Sequence, residues 1–185
     1  MADARVWVGC LGCHNEGYLA GQWFDAGDAP EEVAGEDSFN ARLHGDWFPV
    51  SPWHYSDAHE ELWVMDTDGM PVDREMSPYE ANQIGAKLDE IEESNLSVEA
   101  VMIYAEWTGD AFVEVKLDAA QAAYEGEWRS EVDFARWWAE ETGALPAEPD
   151  WPTNYIDWES ATLDLMQTFH AAEDSSGMVH IFWAC

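Results

Sequence analysis

The chain is 185 residues long and carries 39 acidic side chains against 7 lysines and arginines, a formal net charge of -32. Nucleic acid and anionic lipid surfaces would repel such a chain, so recognition of either through a basic patch is excluded. Charge at this density ordinarily accompanies disorder. Here 47% of the residues are hydrophobic and 12 are tryptophan, which is enough apolar material for packed cores beneath a nearly all-negative surface. Length suits one or two domains. Self-repulsion favours an elongated body of small subdomains over a compact sphere. The cations are Arg5, Arg42, Arg74, Lys87, Lys116, Arg129 and Arg136, with none after Arg136. No apolar run approaches the roughly 18 residues that a membrane helix needs. The N-terminus lacks the pattern of a secretory leader. The expectation is therefore a cytoplasmic protein.

Residues 5–25 read as a hairpin. Val6, Val8 and Cys10 alternate with Arg5, Trp7 and Gly9, His14 to Gly17 is turn chemistry, and Tyr18 to Asp25 returns. Cys10-Leu-Gly-Cys13-His14 formally matches a haem-attachment pattern. Haem would need export and an axial partner, and zinc would need two more ligands. The expectation is an ordinary reduced cysteine pair in a strand and turn. Asp28 to Val33 can start a helix, with Pro30 in its first turn. Glycines and prolines then make residues 34–58 mostly loop, with Trp47, Phe48, Trp53 and Tyr55 lying over the hairpin. Leu62 to Asp66 reads as a third strand ended by the turn Asp66-Thr-Asp68-Gly69. That turn resembles the opening of a calcium loop but lacks its remaining ligands and its terminal glutamate.

Ser77-Pro78-Tyr79-Glu80 is the sharpest helix start in the chain, with a serine cap, proline at the first position and glutamate at the third. Ala81, Ile84, Leu88 and Ile91 follow on one face and Asp89, Glu90, Glu92 and Glu93 on the other. Ser97 caps a second helix through Val98, Val101, Met102 and Ala105, stopped at Gly109. Neither helix is long enough to stand alone, so both must pack on neighbours. Phe112 to Leu117 reads as a strand, and Asp118 as the cap of a short helix through Ala123. In Tyr124 to Gly143, Ser130 caps a helix and Asp133 completes an aspartate version of the capping box. Phe134, Ala135, Trp138 and Ala139 form its inner face, and Gly143 is its stop. Glu140 and Glu141 crowd the last turn, where the helix dipole disfavours them. Ala144 to Pro152 is proline-rich loop. Asp157 caps a last helix on which Trp158, Ala161 and Leu165 share a face, and Phe169–Ala172 with Met178–Trp183 form a terminal hairpin.

No motif of an established catalytic class is present. His14, His44, His54, His59, His170 and His180 show no ligand spacing, so neither a metal nor a cofactor is expected. Carboxylate pairs occur throughout, which makes each uninformative as a hydrolase signature. The tryptophans sit mainly at core-periodic positions, which argues against sugar stacking.

The charge itself is the strongest signal. Duplex DNA carries one negative charge per roughly 1.7 Å of axis, so 32 net charges along one line match about 16 base pairs at most. Carboxylates on a fixed scaffold can therefore stand where phosphates stand, inside a groove lined with lysine and arginine. Candidate acids for such a surface are Glu31, Glu32, Asp57, Glu60, Asp73 and Glu75 in the N-terminal part. In the middle they are Glu80, Asp89, Glu90, Glu92, Glu93, Glu99, Glu106 and Asp110. Towards the C-terminus they are Glu125, Glu127, Glu131, Asp133, Glu140, Glu141, Glu159 and Asp164. The competing reading is salt adaptation, a soluble acidic domain with a separate binding role. It would scatter acid over every surface around a normal active site.

Several stretches resemble the ArdA antirestriction proteins. They are Arg5-Val-Trp-Val-Gly with Leu11-Gly12, then Asn15-Glu16-Gly17, Gly21-Gln-Trp23-Phe24 and the Asp66 to Pro71 turn. Later come Ala135-Arg136-Trp-Trp-Ala-Glu140-Glu141-Thr142-Gly143-Ala144-Leu145 and Asn154-Tyr155-Ile156-Asp157-Trp158. The order holds over nearly the whole chain. The departures are the longer segment around 34–58, the richness in tryptophan and the Cys10/Cys13 pair. The resemblance implies an α+β fold in an elongated row of three subdomains, here 1–76 (β-rich), 77–117 (helical) and 118–185 (α+β). It implies a non-enzymatic DNA mimic that binds the specificity and methyltransferase subunits of type I restriction–modification enzymes, binding no nucleic acid itself. It also implies a homodimer, with Leu145, Pro146, Trp151, Tyr155 and Ile156 as candidate contacts, internal packing being the alternative for those five.

Overall fold

The computed structural model describes residues 4–31, 39, 43, 61–145 and 155–184. The fold is α+β, with two three-stranded antiparallel sheets, and it divides into two compact units, Met1–Glu93 and Ser94–Cys185. The three-part division implied by the resemblance places two helices in a middle unit; here the first of them lies in Met1–Glu93 and the second in Ser94–Cys185.

In the first unit, β1 (Arg5–Cys10) lies between β2 (Gly21–Asp25) and β3 (Leu62–Asp68). The expected alternation is realised, because Val6, Val8 and Cys10 are fully buried. The hairpin connection holds more than a turn. A short helix, α1 (Leu11–Asn15), starts where the Cys10 thiol accepts the Cys13 N–H at 3.4 Å. Cys10 and Cys13 are both buried thiols. β3 runs two residues beyond expectation, to Asp68, before Gly69 takes a positive φ of 69°. The helix α2 (Pro78–Glu92) begins as its sequence dictates, with the Ser77 hydroxyl accepting the Glu80 N–H. Its Ala81, Ile84 and Ile91 are buried.

α2 packs on the 3-10 turn Ala26–Asp28. Gly85 makes that approach possible. A Cβ there would stand 2.3 Å from the Gly27 nitrogen. Beside it, Asn82 acts as a substitute strand edge, its Oδ1 accepting the Ala29 N–H at 2.8 Å and its Nδ2 donating to the Ala29 carbonyl at 3.0 Å. The expected helix from Asp28 to Val33 begins differently. Asp28 ends the 3-10 turn and Ala29 is extended. Pro30 and Glu31 follow without helix, and Phe39 and Leu43, within the expected loop, are buried. Residues 32–38, 40–42 and 44–60, with the aromatic run, lie outside the described residues.

In the second unit, β6 (Val179–Trp183) is the middle strand, paired with β5 (Phe169–Glu173) and β4 (Tyr124–Trp128). The β5–β6 hairpin is the expected one. β4 was not expected, because Tyr-Glu-Gly-Glu-Trp carries no clean alternation. The register explains why: a bulge between Tyr124 and Gly126 shifts the strand by one residue. Both faces of this sheet are covered. On one, Phe182 packs against Ala100 and Ile103 of α3 (Val98–Thr108), with Tyr104, Trp107 and Tyr124 beside them. On the other, Ile181 meets Phe134 and Phe169, with Trp128, Trp137, Trp138 and Leu165 around them. Phe134 and Trp137 belong to α5 (Glu131–Glu141) and Leu165 to α6 (Trp158–Leu165).

The serine caps Ser97 and Ser130 and the aspartate cap Asp157 each accept the backbone N–H three residues on. Three expectations need correction. Met102 points outward at 40% exposure, because the stripe that meets Phe182 runs through Ala100 and Ile103. Phe112 to Leu117 is not a strand. Phe112–Glu114 is a 3-10 turn in which two donors are satisfied locally, Glu114 N–H by the Ala111 carbonyl and Val115 N–H by that of Phe112, in place of ladder bonds to a sheet. The short helix α4 (Leu117–Ala123) is preceded by Lys116, not Asp118. Asp118 lies inside its first turn and accepts the Ala119 N–H at 2.9 Å.

Candidate acidic interaction surface

The caps fix the rotation of each helix, and rotation decides where the acids point. On α2, burial of Ala81, Ile84 and Ile91 leaves Asp89, Glu90, Glu92 and Glu93 exposed. Glu80 differs: it is half-buried and paired with Arg74. On α3, Glu99 and Glu106 are exposed. Asp110 follows the left-handed Gly109, and its Oδ2 accepts the Thr108 hydroxyl at 3.0 Å. On α5, Glu131 and Asp133 occupy the first turn, where the helix dipole favours them, and Glu140 and Glu141 the last, where it does not. Gly143 closes that helix with a positive φ of 72°. On α6, Glu159 and Asp164 are exposed.

The remaining acids are less uniform. Glu31 is exposed and accepts Asn82 Nδ2 at 2.6 Å. Asp73 accepts the Thr67 hydroxyl at 3.4 Å, and Glu75 is exposed. Glu127 is exposed on β4, whereas Glu125 is half-buried in the bulge, and burial raises its pKa above the ordinary glutamate value. Glu32, Asp57 and Glu60 lie outside the described residues. Of the five candidate dimer contacts, Tyr155 is 79% exposed, Leu145 and Ile156 are half-buried, and Pro146 and Trp151 lie outside the described residues.

Four of the described cations are engaged by contacts within the chain. Arg5 stacks over Trp23, its guanidinium 5.6 Å from the ring centre, and Arg136 over Trp158 at 5.5 Å. Arg74 is tied to Glu80. Lys87 is 9% exposed and reaches Glu90 Oε2 at 2.6 Å, so its alkyl stem is core and its charge is matched at once. Lys116 and Arg129 are exposed.

Sequence reasoning missed one polar feature. His180 is fully buried, with Nδ1 2.9 Å from the Tyr124 hydroxyl and Nε2 3.3 Å from Asp174 Oδ2. The other oxygen of Asp174 accepts three donors, the Ser176 and Met178 N–H groups and the Ser176 hydroxyl. Those bonds, with the imidazole, hold the Asp174 carboxyl well below the usual aspartate range. Burial first, and then nearby acids, push the Tyr124 hydroxyl up to about 12. The signal available in sequence was Asp174-Ser-Ser-Gly177, an aspartate-led turn. It reads as the turn of the terminal hairpin, because the third member, Tyr124, lies 56 residues from His180 on another strand.

Among the described residues, no group of three or more His, Cys, Asp or Glu side chains converges as a metal site. Nor is any helix among them long and apolar enough to cross a membrane. A family model described as "Antirestriction protein (ArdA)" matches residues 6–179. No curated protein matches the chain.

Proposed function

The chain belongs to the ArdA family of antirestriction proteins, and from that premise we propose that it is a DNA mimic that inhibits type I restriction–modification enzymes by occupying their DNA-binding groove. The family carries the antirestriction role. The observation that supports mimicry is the sorting of charge: helix after helix turns its acids to solvent, while Arg5, Arg74, Lys87 and Arg136 are spent on contacts within the chain. Fixed carboxylates released of their counterions by a basic groove gain the same free energy that drives DNA into that groove. Holding them on capped helices lowers the ordering cost of binding.

On this reading the protein acts by binding, not catalysis. It works in a bacterial cytoplasm against the specificity and methyltransferase subunits, and it does so as a homodimer that uses the segment around Leu145 to Ile156. The row of three subdomains implied by the resemblance is part of the same proposal. No single acid dominates, since an exposed ion pair contributes about 0.2–1 kcal/mol.

The test is cleavage of unmodified DNA by a type I enzyme, titrated with the protein and competed with a duplex oligomer. Inhibition relieved by the duplex supports mimicry. Neutralising the acids of one helix at a time should weaken inhibition in steps. Loss of all inhibition from one substitution that leaves the fold intact contradicts a distributed surface.

A further inference from the structure

The bulge in β4 has a consequence for the acids on that strand. In a regular strand Tyr124 and Trp128 would share a face, because side chains alternate. Here they do not. Tyr124 packs with Phe182 on the α3 side of the sheet, and Trp128 packs with Ile181 and Phe134 on the other. The extra residue that allows the change is Glu125, which lies between Tyr124, opposite Phe182, and Gly126, opposite Ile181. Gly126 takes a φ of 110°, which a residue with a side chain adopts only under strain. On the far side, the Trp128 indole N–H donates to the Glu125 carbonyl at 3.2 Å.

The buried imidazole secures the near side. An ionised Asp174 only accepts, so Nε2 carries the proton facing it, while Nδ1 pairs with the Tyr124 hydroxyl at 2.9 Å. Asp174 Oδ1 is saturated by the turn, which leaves Oδ2 for the ring. Tyr124 is thereby tied across the sheet to the β5–β6 turn, immediately before the bulged glutamate. Glu127 lies opposite His180 itself.

We propose that His180, held between Tyr124 and Asp174, is a positioning residue that fixes the bulge of β4 and so places Glu125 and Glu127 for binding to the basic groove. This rests on the DNA-mimic reading and adds to it a stretch of acid whose placement depends on a buried polar chain instead of a helix cap.

A double-mutant cycle in the cleavage-inhibition assay tests it, with His180→Phe against the pair Glu125→Gln and Glu127→Gln. In the wild-type background the glutamine pair should raise the concentration for half-inhibition about three- to fivefold, from two partly screened ion pairs. His180→Phe should cost about as much. In the phenylalanine background the glutamine pair should then cost almost nothing, because the acids are already misplaced. His180→Gln, whose amide can donate to Asp174 and accept from Tyr124, should restore most of the inhibition. Additive losses in the cycle, or no loss from His180→Phe, overturn the proposal while leaving the mimic reading intact. Failure of the wild-type protein to inhibit any type I enzyme overturns both. Should His180→Phe fail to fold by circular dichroism, Gly126→Ala and Tyr124→Phe run the same cycle with the same deciding outcomes.

Discussion

Gly85→Ala reverses an ordinary expectation and so tests the packing of α2. In an exposed helix interior this change stabilises by about 1 kcal/mol, the difference in helix propensity. At position 85 the new methyl would stand 2.3 Å from the Gly27 nitrogen, 2.6 Å from its Cα and 2.7 Å from the Ala26 carbonyl carbon. All three are backbone atoms, so no side chain can swing aside. Ordinary contact begins at 3.4 Å, so the helix must retreat by about 1 Å. Overpacking of this kind costs about 1–3 kcal/mol. The retreat also stretches the two bonds between Asn82 and Ala29, each contributing about 1 kcal/mol. Set against the propensity gain, the net loss is about 2–4 kcal/mol. At roughly 2–4 °C per kcal/mol for a chain of this size, the melting temperature falls by about 5–15 °C. Urea unfolding followed by far-ultraviolet circular dichroism measures it. Gly27→Ala is the control, because a Cβ there meets nothing nearer than 4.0 Å and should be close to neutral. Equal or greater stability of Gly85→Ala, or equal losses from both variants, would refute the close-approach argument.

Asn82→Ala should lose about 2 kcal/mol by the same unfolding assay, since it leaves the Ala29 N–H and carbonyl without their partner. Asp174→Asn should destabilise the protein at neutral pH. The folded-state pKa of Asp174 is depressed, so its contribution is fully present above its unfolded value of about 4 and is lost as pH falls through the folded one. The gap between wild type and variant should therefore narrow below about pH 4, and a gap that widens there contradicts the assignment. Thiol reagents should modify Cys13 slowly in the native protein and quickly in denaturant, because burial and the neighbouring Cys10 push its thiol up to about 12. Fast native labelling would show that the site opens readily.

Four helix starts were legible because each cap is written in four adjacent residues, whereas α1 starts on Cys10 and α4 on Lys116, neither of them a residue type that signals a cap. Ser77, Ser97, Ser130 and Asp157 all act as read. β1 and the terminal hairpin were legible through alternation. β4 was not, since a bulge hides alternation and its partner strand lies over 50 residues away. Phe112 to Leu117 misled because aromatic and β-branched residues favour strands only where a partner edge exists. For the candidate site, the identity of the acids was plain from composition. Their presentation was legible only where a helix phase fixed it, as on α2 and α5. Glu80, drawn to Arg74, and Glu125, sunk in the bulge, depart from their neighbours through tertiary contacts that no local pattern encodes.

The frugal use of cations sets opposite responses to electrolyte. Among the described residues the attractive ion pairs include Arg74–Glu80 and Lys87–Glu90, and stacking on Trp23 and Trp158 is carried by contact at short range. Millimolar sodium chloride therefore finds little attraction inside the molecule to weaken, and a great deal of mutual carboxylate repulsion to relieve. Any docking on a lysine- and arginine-lined cleft fades along the same titration. One dilution series should thus show thermal tolerance climbing while grip on the target slackens.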